Sequence, residues 1–267
     1  MQGIGLAGSA GVGLPMLARL NAAGLPAAGY GLGATAPGEA ADDGTRAAEF
    51  AAGLRVLILL ARDIAEAEAL LFETAAFARR ATALEAIVIA ATLSPRYVRA
   101  LRGRIGDAVA LIDAPFTGGM RAAAEGRLSF LLGGRPGDIA RLQPVFDILG
   151  RQSHRMGAYG TAMASKVLSD CLAATSTAMT RIALDWAEAQ GIDEAQLLEM
   201  IGASMGRNPG GPGTDPAGFG PDGSAEAMSH LISEVEGALD TALTGAHLIP
   251  PRAMEQIFRT MKSRALH

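Results

Sequence analysis

Lys166 is the residue of this sequence whose type and position most favour acid–base chemistry. The chain contains two lysines, Lys166 and Lys262, and otherwise uses arginine for its long basic side chains. Arginine keeps its proton at any useful pH, whereas a partly buried lysine can give and take one. Because Lys166 lies near the start of a long apolar helical run, just after a glycine turn, it is a candidate general acid or base. The residues alone leave open the alternative of a solvated lysine on a helix face.

Asp170 follows Lys166 by four residues, which places both side chains on the same face of a predicted helix. The carboxylate could hold the lysine as a charged ammonium, or it could take up the lysine proton. Both roles stay open, and we predict Lys166 and Asp170 as a catalytic pair.

A glycine-rich turn near the N-terminus predicts a phosphate site. Residues 2–8 form a short apolar run, and a helical pattern over residues 14–23 follows the glycines directly. A strand, a glycine turn and a helix in this order are typical of the G-x-G-x-x-G motif, in which the helix N-terminus binds a pyrophosphate. Ala10 replaces the middle glycine, so the motif is imperfect. If the protein binds a cofactor, the predicted binding residues are Gly8, Ala10, Gly11 and Gly13.

The segment after the second predicted strand lacks the usual ribose ligand. In dinucleotide sites the strand over residues 26–32 would end in an acidic side chain for a ribose 2′-hydroxyl, or in a basic one for a 2′-phosphate. The sequence continues instead with glycines around Leu32, and a loop rich in glycine, proline, aspartate and alanine runs to about residue 44. Asp42 or Asp43 in this loop could reach a ribose.

The elements that must position these residues alternate between strands and helices. Further strands are predicted at residues 55–60, 86–91, 108–113 and 128–132, and helices at residues 46–52, 63–72, 95–104 and 139–149. Repeated strand–helix units with apolar strands favour an α/β fold with a doubly wound, largely parallel sheet.

Around residues 153–157 the pattern becomes almost purely helical. This change predicts a Rossmann-like domain over residues 1–157 and an all-α domain over residues 158–267. The predicted helices of the second domain span residues 161–190, 193–204 and 224–243, with a Gly/Pro-rich loop at 206–223 and a last helix after Pro251.

Composition excludes several classes of function. The formal net charge is −4, which leaves no electrostatic footprint for nucleic acid or an anionic membrane. There is no basic leader and no apolar run of roughly 18 residues or more, so we expect a soluble cytoplasmic protein. The single cysteine, Cys171, excludes an intramolecular disulfide and is predicted to pack in a core. We expect a small-molecule substrate and no metal site.

Four stretches in the right order resemble the β-hydroxyacid dehydrogenases, the family of 3-hydroxyisobutyrate and threonate dehydrogenases related to 6-phosphogluconate dehydrogenase. They are residues 8–16, residues 92–95, residues 113–119 with 126–128, and the glycine turn with Lys166. The resemblance spans nearly the whole chain. It implies a Rossmann-like domain, a long interdomain helix and a homodimer built on the helical domain.

The resemblance also implies roles for individual residues. The lysine that matches Lys166 is the acid and base on the substrate hydroxyl. The corner that matches Thr117-Gly118-Gly119 holds the substrate carboxylate. Thr92 matches the threonine that precedes x-Ser-Pro in the family, and it is predicted to contact the substrate.

The departures from the family concentrate on the cofactor. Ala10 replaces a fingerprint glycine, glycines around Leu32 replace the Asn-Arg-Thr that meets the ribose phosphate, and the first crossover helix is predicted to be truncated. Ser233, followed by Glu234, replaces the lysine of a Lys-Asp pair near the nicotinamide and substrate, and is predicted to bind substrate. Two further sites differ: Ala91 replaces a serine, and Asp170 replaces an asparagine.

These departures favour, as a first hypothesis, a lyase that needs no cofactor. Lys166 would remove a hydroxyl proton, and without a hydride acceptor the electrons would break a C–C bond. Such a retro-aldol-type step releases formaldehyde or another small aldehyde and requires an electron sink on the remaining fragment. The loop at 206–223 could admit a bulky substrate, including an aromatic one.

Two alternatives remain open. One is an NAD(P)-dependent β-hydroxyacid dehydrogenase that oxidises a small hydroxy acid with NAD or NADP. The other is a dimeric binding module without catalysis. Such a module would not require a lysine at position 166, because this chain uses arginine for nearly all its other long basic side chains.

Overall fold

The computed structural model describes residues 2–8, 11–32 and 43–205. The strands are β1 (Ile4–Ala7), β2 (Ala27–Tyr30), β3 (Val56–Leu59), β4 (Ala86–Ile89), β5 (Ala110–Asp113), β6 (Phe116–Thr117), β7 (Leu128–Gly133) and β8 (Gly150–Gly157). The helices are α1 (Gly13–Ala22), α2 (Asp43–Ala52), α3 (Ile64–Leu71), α4 (Phe77–Arg80), α5 (Pro95–Leu101), α6 (Met120–Ala124), α7 (Pro136–Leu149), α8 (Thr161–Ala189) and α9 (Glu194–Met205).

The strands form one sheet in the order β2-β1-β3-β4-β5-β7-β6, and β8 pairs with β7. Strands β1 to β5 pair in parallel, β7 runs antiparallel to β5 and β6, and β8 runs parallel to β7. The chain leaves β1 towards β2 on one side and then crosses to β3 on the other side. Sheets of this order bind ligands in the crevice at the carboxyl ends of the strands where the direction switches, here between β1 and β3.

Helices cover both faces of the sheet. One hydrophobic cluster packs α2, α3, α4 and α5 against one face, and a second packs α1, α6 and α7 against the other. Strands β1, β3 and β4 are buried along their whole length, as parallel strands are when both faces are covered. The predicted Rossmann-like, doubly wound and largely parallel α/β sheet is therefore confirmed.

The observed elements differ from the predicted ones at their ends and in the shortest pieces. Helix α2 begins at Asp43, so the first crossover helix is longer than the predicted residues 46–52. Helix α7 begins at Pro136, because proline suits the first turn of a helix. The pieces α4, β6 and α6 contain too few residues to show a period. Strand β8 escaped prediction because most of its residues are exposed and no apolar alternation marks it.

The chain divides into two compact units after Leu172. This division falls inside α8, a helix of 29 residues, so the domain boundary predicted at residue 157 stays a prediction. Helices α8 and α9 confirm the helices predicted at 161–190 and 193–204. The loop predicted at 206–223 and the helices predicted beyond it lie outside the described residues.

Two smaller expectations are settled in the described part of the chain. Cys171 is exposed on α8, so the prediction that it packs in a core is wrong. Among the helices of residues 2–205 that the structure describes, none combines the length and apolar character that a bilayer crossing requires.

Candidate functional site

The glycine turn after β1 is tied to both neighbouring strands. Gly8 has a φ of +129°, and a Cβ there would lie 2.4 Å from the carbonyl oxygen of Leu60. Its N–H donates to the carbonyl oxygen of Tyr30 at 3.1 Å. Only glycine lets the chain leave β1 in this direction beside the end of β3. Ser9 and Ala10 lie outside the described residues.

The N-terminus of α1 is suited to an anion. The helix begins at Gly13 with no acidic residue in its first turn and no side chain capping it. Uncapped N–H groups and the helix dipole favour a phosphate at such an end. Gly11 is exposed, and a Cβ on it would meet nothing closer than the sulfur of Met120 at 3.7 Å. The described residues of this turn therefore fit the pyrophosphate of a dinucleotide.

The tip of β2 is apolar. The buried ring of Tyr30 packs against the rings of Phe50 and Phe77 at centroid distances of 5.6 and 5.1 Å. Leu32, two residues further on, lies over the start of α1, where its Cδ2 would be 2.6 Å from a Cβ on Gly13. The predicted lack of an acidic or basic side chain at this tip holds for residues 30–32. Asp42 lies outside the described residues, and Asp43 opens α2.

Asp113, at the end of β5, is fully buried and holds the start of α8. Its two carboxylate oxygens accept the N–H groups of Gly160 and Met163, each at 2.7 Å. Burial raises the pKa of this carboxyl group, against the lowering effect of the backbone N–H bonds. A Cβ on Gly133 would lie 2.3 Å from the carboxylate, so glycine at that position makes room for it. Asp113 is a helix anchor that the sequence analysis did not identify, although a charged residue closing an apolar strand was a sign of it.

The predicted substrate residues on the Rossmann-like side lie at the carboxyl ends of the parallel strands. Thr92 is exposed in the loop after β4, and the next residue, Leu93, donates its N–H to the sulfur of Met163 on α8 at 3.3 Å. Thr117 is exposed on β6, four residues beyond Asp113.

The two glycines after Thr117 shape the corner. Gly118 has a φ of +120°, and a Cβ there would lie 2.9 Å from Leu128. Gly119 is exposed and precedes α6 directly. The corner therefore offers backbone groups and a threonine hydroxyl without bulky side chains.

Lys166 and Asp170 meet on α8 as their spacing predicted. The lysine Nζ lies 2.5 Å from Oδ1 and 2.6 Å from Oδ2 of the aspartate. The Lys166 side chain is only 11% exposed, whereas the Asp170 side chain is 49% exposed. An ammonium so placed has a proton to donate and a carboxylate beside it to share that proton.

The described structure thus brings one set of predicted residues to one edge of the sheet. Three glycines follow the carboxyl end of β1, namely Gly8, Gly11 and Gly13. Thr92 follows that of β4, and the corner of Thr117, Gly118 and Gly119 follows that of β5. Helix α8, which carries Lys166, is fastened to the ends of β4 and β5 through Met163. Ser233 lies outside the described residues. Within residues 2–8, 11–32 and 43–205, no cluster of His, Cys, Asp and Glu could hold a metal ion.

Two relatives are each similar to less than half of the chain. Mitochondrial 3-hydroxyisobutyrate dehydrogenase of Drosophila melanogaster is 32% identical over 117 residues, which are 43% of this chain and 36% of that protein. NAD-dependent L-serine dehydrogenase of Pseudomonas aeruginosa is 32% identical over 125 residues, which are 47% of this chain and 41% of that protein. The similarity therefore spans less than half the length of these relatives.

Solved structures share the fold over nearly all of the chain. The 3-hydroxyisobutyrate dehydrogenase of Mycobacterium tuberculosis, solved with L-serine, has a TM-score of 0.64 and 24% identity, and the match covers 99% of this chain and 91% of that one. The imine reductase of Streptomyces aurantiacus has a TM-score of 0.72 at 14% identity, with 99% and 95% covered. At such identities these matches establish the fold alone.

A family model described as the NAD binding domain of 6-phosphogluconate dehydrogenase matches residues 3–160. The matched range is more than half of the 267-residue chain, and it runs from β1 to the start of α8. The matched range contains the glycine turn, Thr92 and the corner of Thr117, Gly118 and Gly119. The chain therefore belongs to the family of the NAD binding domain of 6-phosphogluconate dehydrogenase.

Proposed function

We propose that this protein is an NAD(P)-dependent oxidoreductase of the β-hydroxyacid dehydrogenase type. The observation that carries the proposal is the attachment of α8 to the ends of β4 and β5. Asp113 and Leu93 fasten the start of α8 to this edge through Gly160 and Met163, and Lys166 follows Met163 by three residues on the same helix. The match to an NAD binding domain reverses the order of the two catalytic hypotheses, because it supports a dinucleotide and lends nothing to a reaction without a cofactor.

The proposed substrate is a small acid with a hydroxyl group on its β-carbon. 3-Hydroxyisobutyrate and L-serine, the compounds in the names of two relatives, both have this pattern. We assign the carboxylate of the substrate to the corner of Thr117, Gly118 and Gly119, with Thr92 and Ser233 as further contacts. A carboxylate held there would be bound by backbone N–H groups and a hydroxyl rather than by a charged side chain.

The cofactor would lie along the crevice between β1 and β3. Gly8, Ala10, Gly11 and Gly13 would hold its pyrophosphate at the N-terminus of α1. A bound nicotinamide supplies or accepts the hydride. The uncapped N-terminus of α1 and the glycine cradle support this assignment, and the apolar contact offered by Leu32 would serve the adenosine half.

Lys166 would move the proton at the substrate oxygen. In the reducing direction its ammonium donates a proton to the carbonyl oxygen, and in the oxidising direction its neutral amine accepts the proton of the hydroxyl. Asp170, in direct contact with the Lys166 ammonium, would orient the lysine Nζ towards the substrate oxygen. Asp170 could also take the proton onward to solvent, since its side chain is half-exposed.

The cofactor-independent lyase stays as a second candidate because of one observation, the apolar tip of β2. Residues 30–32 offer no charged side chain to a ribose. In this alternative Lys166 takes the hydroxyl proton, the C–C bond to the hydroxyl-bearing carbon breaks, and the electron pair moves onto a carbonyl of the remaining fragment.

A single pair of measurements decides between the two candidates. The full-length protein is titrated with NADH and NADPH by calorimetry, and 3-hydroxyisobutyrate and L-serine are then assayed with and without NAD or NADP. Submillimolar binding of a dinucleotide, with turnover only in its presence, is the expected result. No heat from NADH or NADPH, together with no turnover when NAD or NADP is added, would instead favour the lyase. The predicted homodimer can be checked by light scattering on the same sample.

A further inference from the structure

A second cleft lies beside β5, next to the carboxyl ends of β7 and β8 rather than those of β1, β3 and β4. Its volume of about 690 Å³ suits a small molecule. The cleft exists because β5 meets β7 at one residue pair, Asp113 with Gly133, after which the chain turns away at Gly134 into α7. Apolar groups from three elements line it, namely Ala110, Leu111, Pro136, Ile139 and the ring of Tyr159.

This cleft is separate from the dehydrogenase site. It lies at Ala110 and Leu111, where β5 begins, whereas the corner at Thr117 follows the other end of the same strand. The lining residues include neither the glycine turn nor Lys166. An inference about the cleft therefore does not depend on the proposed function.

Arginine dominates the charge of the cleft. Arg99 and Arg102 reach it from α5 and the residue that ends α5, Arg135 from the turn before α7, and Arg155 from β8. Asp138 is the acidic residue of the lining. Four arginines against one aspartate make the cleft strongly positive, and the N-terminus of α7 on its rim adds to the same field.

Among the described residues, Arg102 is the one of these four arginines with a carboxylate partner, Asp107 at 3.8 Å. The guanidinium of Arg102 is engaged by the carbonyl oxygens of Val109, Ile105 and Gly106, at 3.1, 2.7 and 2.6 Å. Within the ranges that the structure describes, Arg99, Arg135 and Arg155 form no ion pair with a carboxylate. Three arginines without such a partner, from three separate parts of the chain, thus line one apolar cleft.

We propose that the cleft binds a small organic phosphate, with its charged group on Arg135 and Arg155 and its apolar body against Leu111, Ile139 and Tyr159. A guanidinium binds phosphate oxygens in pairs, and such charge-assisted bonds are among the strongest hydrogen bonds in proteins. The apolar floor requires a body that a free phosphate ion lacks. A single carboxylate would leave part of the positive charge without a partner.

Phenyl phosphate is the probe that tests the site on the full-length protein. Calorimetry should show it binding more tightly than inorganic phosphate, which lacks the ring, and than benzoate, which has less charge. Benzyl alcohol should not bind. Because a charge-assisted hydrogen bond contributes about 1.5–3 kcal/mol, Arg135→Ala and Arg155→Ala should each weaken the binding of phenyl phosphate roughly tenfold or more. Salt at about 0.5 M should weaken it further, because it screens the arginines.

Arg151→Ala is the matched control. Arg151 lies on the same strand as Arg155 and is equally exposed, but it does not line the cleft. The control should bind phenyl phosphate like the wild type, and all variants should keep the wild-type melting temperature. The proposal fails if the wild type shows no binding. It also fails if the double variant Arg135→Ala/Arg155→Ala binds within threefold of the control, since the probe would then occupy another site, such as the glycine turn.

Discussion

Strands β5 and β2 lie on opposite sides of β1, β3 and β4 in the sheet. A charged residue ends β5, whereas an aromatic residue ends β2. β5 ends in Asp113, a buried carboxylate with both oxygens bonded to the first turn of α8. β2 ends in Tyr30, whose ring is part of an aromatic cluster, and the half-buried Gly31 and Leu32 follow it. The β5 end thus holds the start of α8 by hydrogen bonds, whereas the β2 end presents apolar side chains.

This difference teaches where the site tolerates change. A buried charge is stable only when its hydrogen bonds are made, so the β5 end must be built in one way. An apolar tip imposes no such requirement, and it can gain a polar group without leaving another unpaired. We therefore expect large losses from changes on the β5 and α8 side, and modest or even favourable effects at the β2 tip.

The largest expected effect follows from replacing the lysine that the β5 side positions. Lys166→Arg should reduce turnover by about 10²–10⁴-fold, nearly as much as Lys166→Ala, because arginine keeps the charge but does not exchange its proton near neutral pH. Steady-state kinetics with the reduced and oxidised substrates measure the loss. Circular dichroism should show wild-type folding, since a long basic side chain can still reach solvent from the helix.

The second lysine supplies the matched control for this change. Lys262→Arg should keep wild-type turnover, which separates a specific effect at position 166 from a general intolerance of arginine for lysine. If Lys166 only holds a substrate carboxylate by charge, Lys166→Arg will instead keep its activity within about threefold.

The next largest effect concerns the anchor itself. Asp113→Ala removes the acceptor of two buried N–H groups, those of Gly160 and Met163, and each unpaired group destabilises by about 1–3 kcal/mol. We expect a loss of about 2–6 kcal/mol in the free energy of unfolding, measured with urea. Asp107, at the other end of β5, has a 95% exposed side chain, and Asp107→Ala should change that free energy by less than about 0.5 kcal/mol. Equal effects of the two substitutions would contradict the anchoring role.

A third change is aimed at the apolar tip of β2. Leu32→Arg should strengthen the binding of NADPH about tenfold and leave NADH unchanged, because a guanidinium there can bond the 2′-phosphate by charge-assisted hydrogen bonds. Its aliphatic stem can still cover Gly13, as Leu32 does. Calorimetric titrations of the variant and of Leu32→Met as control measure the effect. A gain that is the same for both dinucleotides would show that the tip does not face the ribose.

The sequence predicted the sheet, the long helix and the pair of Lys166 and Asp170 because each has a local pattern. Apolar strand runs, glycine turns and an i, i+4 spacing all lie within a few residues of one another. The fold class needed no long-range information, since repeated strand–helix units allow few arrangements.

The contacts that position the site are long-range, and the sequence analysis did not find them. Asp113 meets Gly160 across 47 residues and Met163 across 50, and no local period connects them. Strand β8 was not predicted because most of its residues are exposed, so it lacks the apolar alternation that marks a half-buried strand. The altered residues near the expected adenosine site favoured a lyase without a cofactor, whereas the glycine turn favoured a dinucleotide. The match to an NAD binding domain supports the dinucleotide.

The smallest expected effect is the pH dependence of the β5 anchor. Burial raises the pKa of Asp113 above its ordinary value of 3.8, and this outweighs the N–H bonds that favour the carboxylate. The folded protein then binds a proton at Asp113 at pH values where the unfolded chain has already released it. The contribution of Asp113 to stability falls as pH rises from about 3.8 through the folded pKa and is level above it.

Urea unfolding of the wild type and of Asp113→Asn at a series of pH values isolates this contribution, because the asparagine does not titrate. The unfolding free energy of the wild type minus that of the variant should decline over this window, by about 1.4 kcal/mol for each unit by which the pKa is raised. If that difference rises with pH instead, the hydrogen bonds of Gly160 and Met163 outweigh the burial, and Asp113 stabilises α8 as a carboxylate more strongly than as an acid.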